Sequence, residues 1–281
     1  MWKQKIGISV GNQYAVPTSE VVKIVKASGF DAISPVWETL EKLTEIAETA
    51  RECGLELQSL HAPFFKAADM WSSDPVVYTE CKADILASLE ACVRFRIPVL
   101  VVHTWIGFEP YTCQKQDLYF KNFEELVAKA KENGVKIAFE NTEGEEFLFA
   151  LMEHFAQEDT VGFCWDSGHE QCYNHAQDLL AKLGDRLYMT HLNDNLGISR
   201  LDGSIFWTDD LHLLPFDGVI DWHEAAKRLK NSRPLPFLNF ELNIQSKPDR
   251  HENDGYAAMP LTLYFAEAYK RACRVAYLYA K

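Results

Sequence analysis

The chain has 281 residues, 47% of them hydrophobic and 12% aromatic, which is ample for a large core and excludes a disordered polymer. Its 28 Lys and Arg against 41 Asp and Glu give a net charge of −13. That balance lacks the basic footprint nucleic-acid binding needs, while acidic side chains can still line a cation site. Seven cysteines, at 53, 81, 92, 113, 164, 172 and 273, contain no CxxC pair and read as reduced thiols of a cytoplasmic protein. The N-terminus runs straight into a strand without an apolar signal core, and the run 98–108 is too short to span a bilayer. The expectation is a soluble, cytoplasmic protein with neither a membrane nor a nucleic-acid partner. Assembly into a homo-oligomer is compatible with this composition.

In chain order, β-type runs fall at 5–10, 31–36, 55–61, 99–103, 135–140, 161–166, 187–191 and 237–241. Between and after them lie helical patterns, among them 38–53, 76–95, 120–133, 145–155, 179–183, 222–230 and 261–279. Gly29, Gly54, Gly134 and Gly184 follow helices, the place of a C-cap glycine. Regular strand–helix alternation predicts an α/β fold of the (β/α)₈ class, a TIM barrel in a single domain over 1–281. A doubly wound open sheet is the structural alternative, and the absence of a GxGxxG turn favours closure. The connections 62–75 and 192–221 look long. Both would hang over the C-terminal face, where such barrels carry their active sites.

Where the strands end is informative. The fourth to eighth end in VVHTW, IAFEN, FCWDSGH, YMTHLND and NFELN, and the third in SLHAPF. Side chains alternate along a strand, so His103, Glu140, Asp166, His191 and Glu241 can all point inward. Val101, Ala138, Cys164, Met189 and Asn239 would form the layer beneath them. Val102, Phe139, Trp165 and Phe240 would face the helices. Any one such residue, alone, is more often a satisfied core histidine or a paired carboxylate. Several carboxylates at one barrel mouth need a compensating cation, and interleaved histidines suit a transition metal better than Ca²⁺. The set Glu140, Asp166, His191 and Glu241 is the expected metal site. Mn²⁺ or Zn²⁺ suits it first, with Mg²⁺ and Co²⁺ also compatible. His61, His103, His169, Asp210 and His212 surround it as substrate-binding or additional metal-binding residues. The aromatic residues Trp37, Phe64, Trp105 and Phe108 are candidates, as a group, for stacking on a substrate at the mouth. His154, His175, His223 and His251 match no site position.

The strings LHAPF, FENTEG, CWDSGH, THLNDN, DDLHLLPFDGVIDW and FELN resemble the xylose isomerase-like barrels, a superfamily that joins sugar and sugar phosphate isomerases and epimerases with endonuclease IV-type repair enzymes. In the ketose 3-epimerases and related isomerases, one Mn²⁺-like ion is held by Glu, Asp, His and Glu from the last four strands. The resemblance carries these roles to Glu140, Asp166, His191 and Glu241. It makes the two glutamates the acid–base pair and gives His169 a substrate oxygen. In the endonuclease branch nine ligands hold three zinc ions, and all nine types have counterparts: His61, His103, Glu140, Asp166, His169, His191, Asp210, His212 and Glu241.

The charge and the loop sequence HLLPFDGVIDW favour the sugar branch. One departure concerns the substrate's far end: the epimerases carry an Arg six residues after the ligand His, where this chain has Gly197, with Arg200 out of register. The resemblance implies proton transfer next to the carbonyl of a small sugar or sugar phosphate, through an enediolate whose charge the cation stabilises. The alternatives it leaves are a zinc phosphodiesterase acting on abasic DNA and an inosose-type dehydratase.

Overall fold

The computed structural model describes residues 4–11, 13–108 and 119–281. Its strands are β1 (Lys5–Val10), β2 (Ala32–Pro35), β3 (Glu56–Leu57), β4 (Leu60–His61), β5 (Val99–His103), β6 (Lys136–Glu140), β7 (Val161–Asp166), β8 (Leu187–His191) and β9 (Phe237–Phe240). They form two parallel ladders, β3-β2-β1-β9 and β4-β5-β6-β7-β8. Parallel bridges Val36–His61 and Leu192–Phe240 join the ladders at both seams. The result is a closed barrel of the expected class. At the second seam the Thr190 side chain adds to the backbone bonds, its Oγ1 accepting from Asn239 N at 3.1 Å and donating to Asn239 O at 3.3 Å.

The run expected as one strand over 55–61 is broken into β3 and β4. Gln58 and Ser59 are buried polar residues that take side-chain partners at the break. Ser59 Oγ lies 2.5 Å from Ser34 Oγ, and the Gln58 amide donates to the Asn239 side chain. Gly184 also departs from expectation. Gly29, Gly54 and Gly134 have left-handed φ values of 113°, 68° and 69°, whereas Gly184 stays right-handed at −59°. A Cβ at Gly184 would meet Ser232 Oγ at 2.5 Å, so close packing is what favours glycine there.

The two faces of the strands separate as alternation requires. Val101, Ala138, Cys164 and Met189 form a small apolar cluster inside the barrel, while Val102, Phe139, Trp165 and Phe240 belong to the large core between sheet and helices. The register is staggered: Glu140 pairs with Cys164, whereas Asp166 pairs with His191. An offset of two residues leaves both carboxylates pointing inward, which is how a tilted closed sheet brings non-level strand ends to one mouth.

Outside lie α1 (Thr18–Ser28), α2 (Leu40–Cys53), α3 (Pro75–Phe95), α4 (Lys121–Glu132), α5 (Glu145–His154), α6 (Ser167–Cys172), α7 (Leu179–Leu183), α8 (Trp222–Lys230), α9 (Asp254–Ala257) and α10 (Leu261–Ala280). Thr39 and Asp74 cap α2 and α3 through side-chain oxygens. Among the described residues no helix is long and apolar enough to cross a membrane.

The short α6 is anchored by charge. Glu170, 1% exposed, accepts both terminal nitrogens of Arg228 at 2.8 Å, Trp165 Nε1 at 2.9 Å and Leu179 N at 3.1 Å. Arg228→Met would leave this carboxylate buried and unpaired. It is expected to destabilise the protein by about 3–5 kcal/mol. Glu170→Leu/Arg228→Met together should recover most of that loss. Urea denaturation of both variants checks the difference, and equal losses in both would refute it.

Candidate metal centre

Five strand ends, the first turn of α6 and the segments after β8 and β9 deliver nine polar side chains to the C-terminal mouth. Glu140 is their hub and is fully buried. Its Oε1 lies 2.9 Å from His191 Nδ1 and 3.5 Å from His169 Nδ1; its Oε2 lies 3.3 Å from both His61 Nε2 and His103 Nε2. Glu241, one residue beyond β9, places Oε2 3.0 Å from His191 Nδ1. Candidate ligand atoms of Glu140, Asp166, His191 and Glu241 all lie within 4.8 Å of one another, as do those of His61, His103 and Glu140. Farther out, Asp210 Oδ1 is 2.9 Å from His212 Nε2 and 3.4 Å from His169 Nε2.

Ring orientation follows from the backbone. His61, His169 and His212 place Nδ1 2.7, 2.8 and 3.0 Å from the carbonyl oxygens of Ala62, Asn141 and Glu241. A carbonyl only accepts, so each Nδ1 donates and each Nε2 is aimed into the site, the arrangement that fixes a metal-ligating imidazole. His212 holds this pose at a left-handed φ of 50°. Asp166 starts α6 and accepts from His169 N at 2.7 Å and from Asn193 Nδ2 at 2.9 Å.

The electrostatics show what this clustering costs. Burial pushes the Asp166 carboxyl up to about 6. Burial also opposes ionisation of Glu140 and Glu241, but neighbouring imidazoles prevail, holding Glu140 well below the usual range and Glu241 down to about 2. Against its own burial, His191 is held well above the ordinary histidine value by Cys164, Glu140 and Glu241. Glu140 Oε2, Asp210 Oδ1, His103 Nδ1 and His191 Nε2 are nevertheless buried without a hydrogen bond. Converging oxygen and nitrogen donors that do not satisfy one another fit a divalent cation of the Mn²⁺ or Zn²⁺ kind.

Comparison with known proteins agrees with the fold. The family model described as "Xylose isomerase-like TIM barrel" matches residues 22–261. The chain belongs to that family. A protein of Sinorhizobium fredii, y4fM, described as uncharacterized, is 30% identical over 195 residues, covering 66% of this chain and 58% of y4fM. The chain thus aligns with little more than half of that relative. Two solved structures share the fold. A D-psicose 3-epimerase crystallised in the presence of D-fructose has a TM-score of 0.70 at 14% identity, covering 99% of this chain and all of that one. A D-tagatose 3-epimerase-like protein has a TM-score of 0.66 at 20% identity, covering 96% and 98%.

Within this barrel all nine residues singled out from sequence reach the mouth. The aromatic group divides. Trp105 is 8% exposed and stacked on Phe147 at 4.1 Å, so it belongs to the core rather than to a sugar platform. Trp37 packs against the same core. Phe64 lies 5.0 Å from the His103 ring, and Phe108 lies 5.5 Å from Tyr173, which in turn is 5.0 Å from His169. Cys113 falls outside the described residues, and the six described cysteines are free thiols.

Sequence reasoning missed the supports. Asn141 accepts from Asp166 N at 2.8 Å and Asn193 donates to the Asp166 carboxylate; both stand inside motifs already quoted. A Cβ at Gly168 would strike Asn193 Oδ1 at 1.9 Å, which explains the glycine of DSGH. Buried Glu143, raised to about 7 by desolvation, accepts from Gly107 N and ties the loop after β5 to the end of β6.

Coordination requires Asp166 ionised and a ring nitrogen of His191 free of its proton. Affinity for Zn²⁺ is therefore expected to fall roughly tenfold per pH unit already above pH 6, where the His191 proton must be displaced, and more steeply below about 6, where Asp166 takes up a second proton. Chelator-competition titrations across that range test this. An affinity independent of pH would remove both residues from the ligand set.

Proposed function

We propose that the protein is a divalent-metal-dependent isomerase or epimerase of a small sugar or sugar phosphate. The observation that supports it best is two glutamates sharing one imidazole nitrogen, with Asp166 beside them, at a mouth that opens over only one of the two. Glu140 is fully buried, while Glu241 retains 17% side-chain exposure; His212, Asp210 and His103, at 14%, 13% and 12%, mark the same opening. A cation held by Glu140, Asp166, His191 and Glu241 would polarise a substrate carbonyl and stabilise negative charge on its oxygen.

Substrate entering over Glu241 meets that carboxylate first, so Glu241 takes the proton from the carbon beside the carbonyl. The partner that holds Glu241 down to about 2 is the protonated His191, which must lose that proton to coordinate. Proton return from the opposite face by Glu140, which takes that proton from an adjoining imidazole, gives the epimer. Return to the adjacent carbon interconverts aldose and ketose. His169, whose Nδ1 is fixed by Asn141 O, would hold a substrate oxygen. The apolar floor of Val101, Ala138, Cys164 and Met189 keeps bulk water from below the reacting atoms. Loss of a neighbouring hydroxyl from the same intermediate would make a dehydratase.

The second reading is a zinc phosphodiesterase, favoured by one specific observation: beside Glu140, Asp166, His191 and Glu241, the donors form further groups, His61 with His103 and Glu140, and His169 with His212 and Asp166. Nicking of abasic plasmid DNA tests it.

Glu140→Gln and Glu241→Gln are each expected to lower turnover by about 10²–10⁴-fold, since each removes an acid–base group. Asp210→Asn should cost less, about tenfold, through altered support of the histidines. Incubating free and singly phosphorylated ketoses with enzyme in D₂O should place deuterium beside the carbonyl, and both glutamine variants should abolish it. Cleavage of abasic DNA with no exchange into any sugar would replace this reading by the second.

A further inference from the structure

His169 and His212 group with Asp166 as metal ligands would, and Asp210 Oδ1 lies against both rings, 3.4 and 2.9 Å from their Nε2 atoms. One contact sets this outer group apart. Lys247, in the irregular segment after β9, places Nζ 3.3 Å from Asp210 Oδ2 and 5.7 Å from the centre of the Trp207 ring. The pair is largely removed from solvent, with 18% and 13% side-chain exposure. Among the described residues, Glu140, Asp166 and Glu241 meet histidines, asparagines and backbone N–H groups, and no lysine or arginine.

Asp210 therefore has two faces. Oδ1 looks toward the two imidazoles, and Oδ2 is already matched by a full positive charge. An ammonium is a compact point charge, and at low exposure its field is weakly screened. A divalent ion entering between His169, Asp210 and His212 would face Lys247 across a single carboxylate. It would also compete for the carboxylate that both imidazoles and the lysine already share.

We propose that Lys247 takes the place of a cation at the outer group. The protein then binds at most two divalent ions tightly, both at the inner groups, and His169 and His212 act on substrate oxygens rather than on a metal. This inference rests on the metal reading of the inner residues given above. It deepens the sugar reading by removing the third ion from the site.

Equilibrium dialysis of the full chain against Zn²⁺, with elemental analysis of the bound metal, tests it without any assay of turnover. The wild type should saturate at two ions or fewer. Lys247→Met should take up one more, at free zinc at least tenfold below that at which any such ion binds the wild type, and Lys247→Arg should behave as wild type. Asp210→Asn should lose no tightly bound ion, an independent check that holds even if Lys247→Met fails to fold. Three tight ions on the wild type, or loss of an ion from Asp210→Asn, would overturn the proposal. No bound zinc at all would overturn it together with the metal reading. Two tight ions with no turnover of any sugar would leave it standing and remove only the sugar reading.

Discussion

A carboxylate with no solvent exposure, Glu140, is the constraint around which the barrel mouth is arranged. Left alone in a low-dielectric interior it would cost several kcal/mol or take up a proton. Four imidazoles reach it instead, from β4, β5, β8 and the first turn of α6. Strand alternation makes this possible. The residue two before Glu140 is Ala138, in the apolar floor, and the residue between them is Phe139, in the helix-facing core. A one-residue slip of β6 would turn the carboxylate into the helix layer and Phe139 into the mouth, so the core holds the register that the site requires.

The loops that carry the outer residues are held by the same means, buried carboxylates with backbone donors. Asp194 accepts from Asn195 N at 2.9 Å, Phe216 N at 2.8 Å, Ile220 N at 3.1 Å and Trp222 Nε1 at 2.8 Å. Asp209 pairs with Arg250 at 2.9 Å and so ties the long connection after β8 to the segment after β9. Between these two anchors His212 keeps its left-handed backbone, next to the antiparallel bridge of Asp194 with Leu213. A strained histidine persists where its surroundings over-determine it. Here they also fix which ring nitrogen faces the site.

Much of this was legible in the sequence because it depends on periods and on residue type. The ends of β1, β5, β7 and β8 fall where alternation put them, and the inner and outer layers separate residue for residue. What depends on particular partners was not legible. The break between β3 and β4 follows from Gln58 finding Asn239 on β9 and Ser59 finding Ser34 on the neighbouring β2, and no local pattern announces that. Trp105 read as a mouth residue because it follows a strand end, yet Phe147, from α5, claims its ring face. Asn141 and Asn193 stood in quoted motifs but acquire meaning only once both are seen on Asp166. Lys247 lies in an irregular segment with no motif, and only the folded chain brings it to Asp210.

Charge balance at the mouth bears on which chemistry it can support. Among the described residues, the four carboxylates Glu140, Asp166, Asp210 and Glu241 have one lysine beside them, Lys247, which contacts Asp210. With neutral histidines, one divalent ion leaves that set short by a single positive charge, and two leave one to spare. Either state tolerates a neutral sugar carbonyl, and the second suits the single negative charge that builds on its oxygen when the adjacent carbon loses a proton. A nucleic-acid strand makes a different demand, because it brings a phosphate on each side of the one being cut, to be met by the surrounding surface. On a chain of net charge −13 that surface repels them. The donor set alone is compatible with both chemistries; the charge around it favours the smaller, less charged substrate.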